Sequence, residues 1–345
     1  MKRHLTSSIR HLTSDIIHLT SSLFLLTSYI ILLTSCDYKD LCYDHNHYGD
    51  VTVSFDWEKE PQTQVGGMTV LFYDLDAPGA EPLRYDFAGM EGGHARLQPG
   101  TYRAIAYNYD TETILYRGYN DNTTLEAYTR QSSIEEGTQL SRSGMPRAAN
   151  TEDEPVILEP DPLFGAVSET FTVELNGKST VVMKPESRVT HLTITITDVP
   201  NLQYSSQFGG ALSGLSPSVA MTSGVPGEGH VTQAFPVSVV GESTLEAHVR
   251  IFGHCPHAAD GELWLHLLTI YAVLADGSKW YYTIDVGDQL HDGSGSGTGT
   301  GDHDKEITIE VDGGLPVPKP IVNGSGFQPT IDGWQGEEIE VTMDN

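Results

Sequence analysis

Residues 4–35 carry Leu-Thr-Ser every seventh position, at Leu5, Leu12, Leu19, Leu26 and Leu33, with Ile9, Ile16, Leu23 and Ile30 between them. Apolar residues spaced four then three form a heptad seam. A zipper also needs charged flanks and strong helix formers, and here the flanks are mostly Thr and Ser. From Ile16 to Ser35 there is no Lys, Arg, Asp or Glu, while Lys2, Arg3 and Arg10 stand ahead of that stretch. A basic start, an uncharged apolar stretch and small residues before a cysteine have the order of an export signal. The competing readings are an uncleaved anchor helix and an ordinary signal followed by a free cysteine.

Beyond the tether of residues 36–48 the period changes to two. In VTVSFDW, Val51, Val53, Phe55 and Trp57 share one face and Thr52, Ser54 and Asp56 the other, the pattern of a half-buried strand. MTVLFYD, from Met68, predicts a strand buried on both faces. ARLQPGTYRAIAYNYD predicts two strands with a corner at Pro99-Gly100, and ILYRGY and TLEAYT two short ones. Residues 132–155 lose all periodicity and predict an exposed linker, with Arg142 and Arg147 open to a trypsin-like protease.

Strands then resume. VSETFTVEL and STVVMKP flank Asn176-Gly177, a hairpin signal. Leu192, Ile194 and Ile196 point inward from one alternating run, and Leu245, Ala247, Val249 and Ile251 from another. Two long strands turn at Asp276-Gly277-Ser278, and EITIEV and EIEVTM close the chain. The Gly/Ser-rich stretch Asp292 to Asp302 predicts a loose hairpin tip between WYYTIDV and EITIEV; it lacks the ligand spacing of a calcium loop. The expectation is an all-β chain of two β-sandwiches in tandem, residues 49–158 and 159–345, after a signal peptide of residues 1–35.

Charge and cysteines refine this picture. With 47 acidic and 19 basic residues, the chain carries a formal net charge of -28, which would repel nucleic acid and anionic lipid headgroups. The signal ends in Leu32-Leu33-Thr34-Ser35-Cys36, like a bacterial lipobox: a branched residue and two small ones before the cysteine. A diacylglycerol thioether on Cys36 and cleavage just before it would make Cys36 the first mature residue. Two or three acyl chains then give lasting membrane attachment, where one chain is marginal. Asp37 is compatible with onward passage to the outer membrane or cell surface. Cys42 and Cys255 are left in an oxidising compartment, where a pair can form a disulfide; the sequence does not show whether they meet.

No nucleophile-elbow, zincin or phosphate-loop motif is present, so no catalytic residue and no cofactor is expected. Asp44, His45 and His47 near Cys42, and His254 and His257 around Cys255, would suit zinc only if the two cysteines met as thiolates. They are read as tether and loop residues, and no metal site is expected. The tyrosines Tyr102, Tyr107, Tyr109, Tyr116 and Tyr119, with Trp280, Tyr281 and Tyr282, fit either strand cores or a glycan-binding platform.

The lipobox, DLCYDH, VTVSFDW, LQPGTYRAIAYNYDTE, PDPLFGA and the terminal GFQPTIDGWQGEEIEVTM together resemble a group of Bacteroidales lipoproteins similar to the fimbrillin-related subunits. The resemblance covers nearly all of the mature chain. It implies two transthyretin-like, immunoglobulin-like β-sandwiches and a place in or near a surface pilus of type V kind, among other fimbrial subunits. In fimbrillins a protease cuts after a basic residue and frees an N-terminal strand; a neighbour's strand then fills the groove by β-augmentation. An anchor subunit skips the cut and stays lipid-bound. Arg142 and Arg147 come too late to release the first strand, so the resemblance fits an anchor, accessory or adhesin-like subunit. If the chain donates a strand, the terminal, alternating EIEVTM is the best suited; its other reading is an ordinary last strand of the second domain. A glycan-binding surface lipoprotein is the alternative.

Overall fold

The computed structural model describes residues 47–140, 144–254, 265–293, 306–313, 315–320 and 333–339. The segment expected to be a signal peptide, Cys36, Cys42, Cys255, Arg142, the Gly/Ser run from residue 294 on and most of EIEVTM lie outside the described residues.

The first thirteen elements are β1 (Gly49–Phe55), β2 (Gly67–Asp74), β3 (Leu83–Ala88), β4 (Gly92–Leu97), β5 (Gly100–Asn108), β6 (Ile114–Arg117), β7 (Glu126–Thr129), α1 (Ile134–Thr138), β8 (Val156–Ile157), β9 (Phe164–Val167), β10 (Phe171–Val173), β11 (Lys178–Met183) and β12 (Glu186–Ser187). A three-stranded sheet, β11-β1-β4, faces a larger one ordered β12-β9-β5-β2-β3, with β10 also on β5. The core between them joins Val51 and Val53 of β1, Leu97 of β4 and Met183 of β11 to Met68, Val70 and Phe72 of β2 and Tyr102 of β5. Alternation accounts for this directly, since every second residue of a strand faces the partner sheet.

The other face of β2 and β5 is covered as well. Leu71, Tyr73, Ile105 and Tyr107 pack against Ile114, Leu125 and Ala127, and against Val219 and Phe252 from farther along the chain. Strand β2 is therefore apolar on both faces, as its unbroken run predicts.

The later elements are β13 (Thr190–Ile196), β14 (Ser205–Leu215), β15 (Ser218–Ala220), β16 (Val231–Val240), β17 (Thr244–Ile251), β18 (Leu267–Leu274), β19 (Lys279–Asp285), α2 (Gly287–Gly293), β20 (Glu306–Val311) and β21 (Trp334–Ile339). A nine-stranded sheet runs β20-β13-β17-β16-β14-β18-β19-β21, with β8 beside β16, while β15 joins β7 and β6 in a small sheet. Strand β16 belongs to both halves of the large sheet: Val231–Val237 pair with β14, and Ser238–Val240 with β17. The halves face each other across a core that includes Leu192, Ile194 and Ile309 on one side and Leu212, Ile270 and Ile284 on the other. The first strand of each sandwich holds the same place. β1 lies between parallel β11 and antiparallel β4, and β13 between parallel β20 and antiparallel β17.

Four expectations change. Asn176 does adopt a left-handed turn, at φ 57, and Gly177 N–H bonds Glu174 O at 2.9 Å. The flanking strands do not form a hairpin, however: β10 pairs with β5 and β11 crosses to β1. Strands β19 and β20 are not neighbours either. β19 pairs with β18 and β21, and β20 with β13. The stretch expected to be an exposed linker packs against the large sheet, where Ile134, Leu140 and Met145 are buried with Ala211, Ala234 and Tyr271. Tyr271 Oη donates to Pro146 O at 2.7 Å, Arg147 is half-buried, and its Nη2 donates to Thr232 Oγ1 at 2.8 Å. Lastly, β9 to β12, which follow the break drawn at residue 158, hydrogen-bond to β1, β5 or one another within the first sandwich.

Candidate assembly strand and histidine cluster

Strand β1 is the first described strand and the centre of its sheet. Six consecutive residues, Asp50 to Phe55, are in register with β11, and Gly49 to Ser54 with β4. Val51 and Val53 are 0% and 1% exposed. Neighbouring β4 comes close because Gly92, at φ +99, has no side chain; a Cβ there would sit 2.2 Å from Val53 O. Without β1, β4 and β11 would face each other across a groove one strand wide and floored by apolar side chains.

The chain leaving β1 is tied down. Trp57 Nε1 donates to Met90 O at 3.0 Å and its ring meets Phe164 edge-on at 5.9 Å. Lys59 Nζ lies 2.5 Å from Glu186 Oε1, and Ser187 N donates to Glu60 Oε1 at 3.0 Å. Asp56 is held below the usual carboxylate range by the backbone N–H of Glu58 and by Lys184. At the far end of the chain, β21 lies parallel to β19 and ends the large sheet, with Lys279 opposite Trp334 and Ile284 opposite Ile339. Among the described residues, the glutamate and isoleucine that open EIEVTM therefore lie in an edge strand.

The aromatics are mainly core. Tyr102, Tyr107 and Tyr282 are buried. Tyr107 and Tyr116 have ring centroids 4.2 Å apart, and the hydroxyls of Tyr107 and Tyr119 are in contact. Burial pushes the phenols of Tyr107 and Tyr116 far above their usual range. Trp280 packs against the large core. Tyr109 alone among these is exposed, at 40%, and its hydroxyl donates to Gly66 O. These rings do not make the coplanar exposed platform that a glycan would need. A shallow depression of about 370 Å3 on β16 and β17, lined by Pro236, Val240, Glu246 and His248, is open to solvent.

Among the described residues, one cluster of metal-ligating type forms away from β1. His254 follows β17, His266 precedes β18 and His291 lies in α2. One ring nitrogen from each lies within 4.8 Å of the others. In sequence His254 stands with Cys255 and His257, which are outside the described residues. His266 and His291 belong to no local motif. The one available signal was a histidine on the strongly apolar run LWLHLL.

The fold defines a tandem β-sandwich protein whose first described strand fills the centre of its own sheet. The chain belongs to the family described as a domain of unknown function, DUF5119, which it matches over residues 35–236. It is 25% identical over 326 residues to a Bacteroides ovatus protein named as a candidate fimbrium anchoring subunit, Fim4B, an alignment covering 88% of this chain and 92% of that one. Among solved structures, a candidate adhesin from Bacteroides ovatus ATCC 8483 is 22% identical, with a TM-score of 0.56 over 82% of this chain and 99% of that chain; the two share the fold. The fimbrial anchor protein Mfa2 from Porphyromonas gingivalis aligns over 77% of this chain and 90% of its own, at 12% identity and a TM-score of 0.47.

Proposed function

We propose that this protein is a non-enzymatic subunit of a cell-surface fimbrium, of the anchoring, accessory or adhesin-like kind, held at the outer membrane by acyl chains on Cys36. The observation that carries the reading is the likeness to the candidate fimbrium anchoring subunit Fim4B over 88% of this chain and 92% of that one, and the central place of β1 fits it. A polymerising fimbrillin of the kind the sequence resembles gives up its N-terminal strand; β1 is central, buried and tied by the following loop to β12. Among the described residues no helix is long and apolar enough to cross a membrane, and a lipid anchor on Cys36 would supply attachment without one.

In this role the chain keeps its own groove filled and meets other fimbrial subunits through strand edges, where main-chain bonds give affinity and alternate side-chain pockets give register. The pairing of β9 to β12 supports a division into two domains near residue 188. With Cys36 acylated, Cys42 and Cys255 are the pair left to form a disulfide. The buried tyrosines weigh against the glycan-binding alternative.

The test is twofold. Cys36→Ala is expected to abolish acylation and release the chain from membranes. Surface crosslinking of the wild type is expected to recover fimbrial subunits. A Cys36→Ala product that keeps its mass and its membrane association would defeat the anchor. Recovery of carbohydrate-uptake proteins alone would defeat the fimbrial role.

A further inference from the structure

We infer that His254, His266 and His291 bind one divalent transition-metal ion of the zinc type. Three imidazoles are a ligand set suited to zinc and its neighbours, with a fourth position left for water. A tetrahedral ion at 2.0–2.1 Å from each nitrogen spaces the nitrogens by about 3.3 Å. The observed limit of 4.8 Å is closed by side-chain rotation of about 1.5 Å or less.

The backbone places each histidine independently. His254 bridges to Leu215, and Ser216 N donates to Gly253 O at 2.9 Å. His266 O accepts from Val286 N at 2.9 Å, and Leu267 N donates to Ser213 Oγ at 3.0 Å. Leu290 N bonds Val286 O, which starts α2 from the same point and carries His291. Gly214, at φ +73, makes room for the ring: a Cβ there would lie 2.8 Å from His266 Nδ1.

His266 is the strongest indication. It is 0% exposed, and its Nδ1 lies 3.3 Å from Ser213 O, which only a protonated Nδ1 can satisfy. That tautomer leaves Nε2 with a lone pair, and Nε2 is buried with no hydrogen-bond partner. A buried polar atom without a partner costs about 1–3 kcal/mol, whereas a metal ion would use it. A carbonyl fixing the tautomer of a ligating imidazole is a recurrent arrangement at metal sites. The formal net charge of -28 favours cation uptake. The ion would clamp the end of β17, the start of β18 and α2 together.

The full chain, extracted in mild detergent and stripped with EDTA, should be titrated with Zn2+ against a chromophoric chelator. One equivalent is expected to bind, and Co2+ in its place is expected to give the visible bands of a tetrahedral site. His291→Ala, on half-buried α2, and separately His254→Ala should each weaken binding about 100-fold with the circular dichroism spectrum unchanged. His45→Ala/His47→Ala should leave binding as it was. Failure to bind one equivalent would overturn the inference. So would one equivalent bound with unchanged affinity by both His254→Ala and His291→Ala, or loss of binding in His45→Ala/His47→Ala.

Discussion

Truncating Val51 and Val53 together to alanine tests whether β1 is an integral core strand. Each change removes two buried methyl-sized groups, and burial contributes about 0.8 kcal/mol per such group, or roughly 1.5 kcal/mol per residue. The strand is clamped between β4 and β11, so it cannot collapse freely into the space, and a cavity contribution adds to the loss. Both valines are essentially without exposure. The double variant should therefore lose about 3–5 kcal/mol, which for a unit of this size lowers Tm by about 10 °C. The control is Val182→Ala on β11, where the side chain is 56% exposed and the change should stay within about 0.5 kcal/mol. Urea unfolding is followed by tryptophan fluorescence with Trp264, Trp280 and Trp334 replaced by phenylalanine in every variant, so that Trp57, whose indole is fixed to Met90 and Phe164, reports the first sandwich. A double variant losing less than about 1 kcal/mol, or a Val182→Ala loss of equal size, would refute the reasoning.

Other outcomes follow from the same structure. Trypsin should spare the Arg147–Ala148 bond in the folded chain, because Ala148 is buried and Arg147 is bonded to Thr232; early cleavage there, read by mass spectrometry, would show that the segment is not packed. Tyr107 and Tyr116 have phenol pKa values raised by burial, so the folded state resists ionisation that the unfolded chain undergoes near pH 10. Their stability contribution is complete below pH 10 and is lost as pH rises above it, so ultraviolet titration should show delayed tyrosinate absorbance that appears together with alkaline unfolding. Burial raises the Asp86 pKa, but hydrogen bonds from Thr69 and Arg84 outweigh it and leave the carboxyl below its usual range. That contribution is present above about pH 4 and lost below it, and Asp86→Asn should flatten the acid limb of a stability curve.

Period-two alternation was legible wherever a strand has one buried face. Val51 and Val53, Leu192 to Ile196, and Leu245 to Ile251 all point as their spacing predicts. Local pattern carries no partner, and there the reading failed. Asn176-Gly177 makes the turn it advertises, yet the strands leaving it enter opposite sheets, because β5 and β1 offer each a longer-range partner. The parallel pairs β1 with β11 and β13 with β20 join residues more than a hundred positions apart, beyond any hairpin rule. Ile134, Leu140 and Met145 have no period, since a loop takes its burial from the sheet beneath it. His254, His266 and His291 meet only because the end of β17, the start of β18 and the last turn of α2 converge.

The central claim is that the chain works at the cell surface with its first strand still in place. Fimbriae should be sheared from native cells, and the fimbrial and outer-membrane fractions compared by intact mass and N-terminal peptide mapping. The account predicts a form that begins at acylated Cys36, retains residues 49–55 and accompanies fimbrial subunits. A mature form cut between β1 and β2 and lacking β1, or a chain absent from every fimbria-containing fraction, would contradict it.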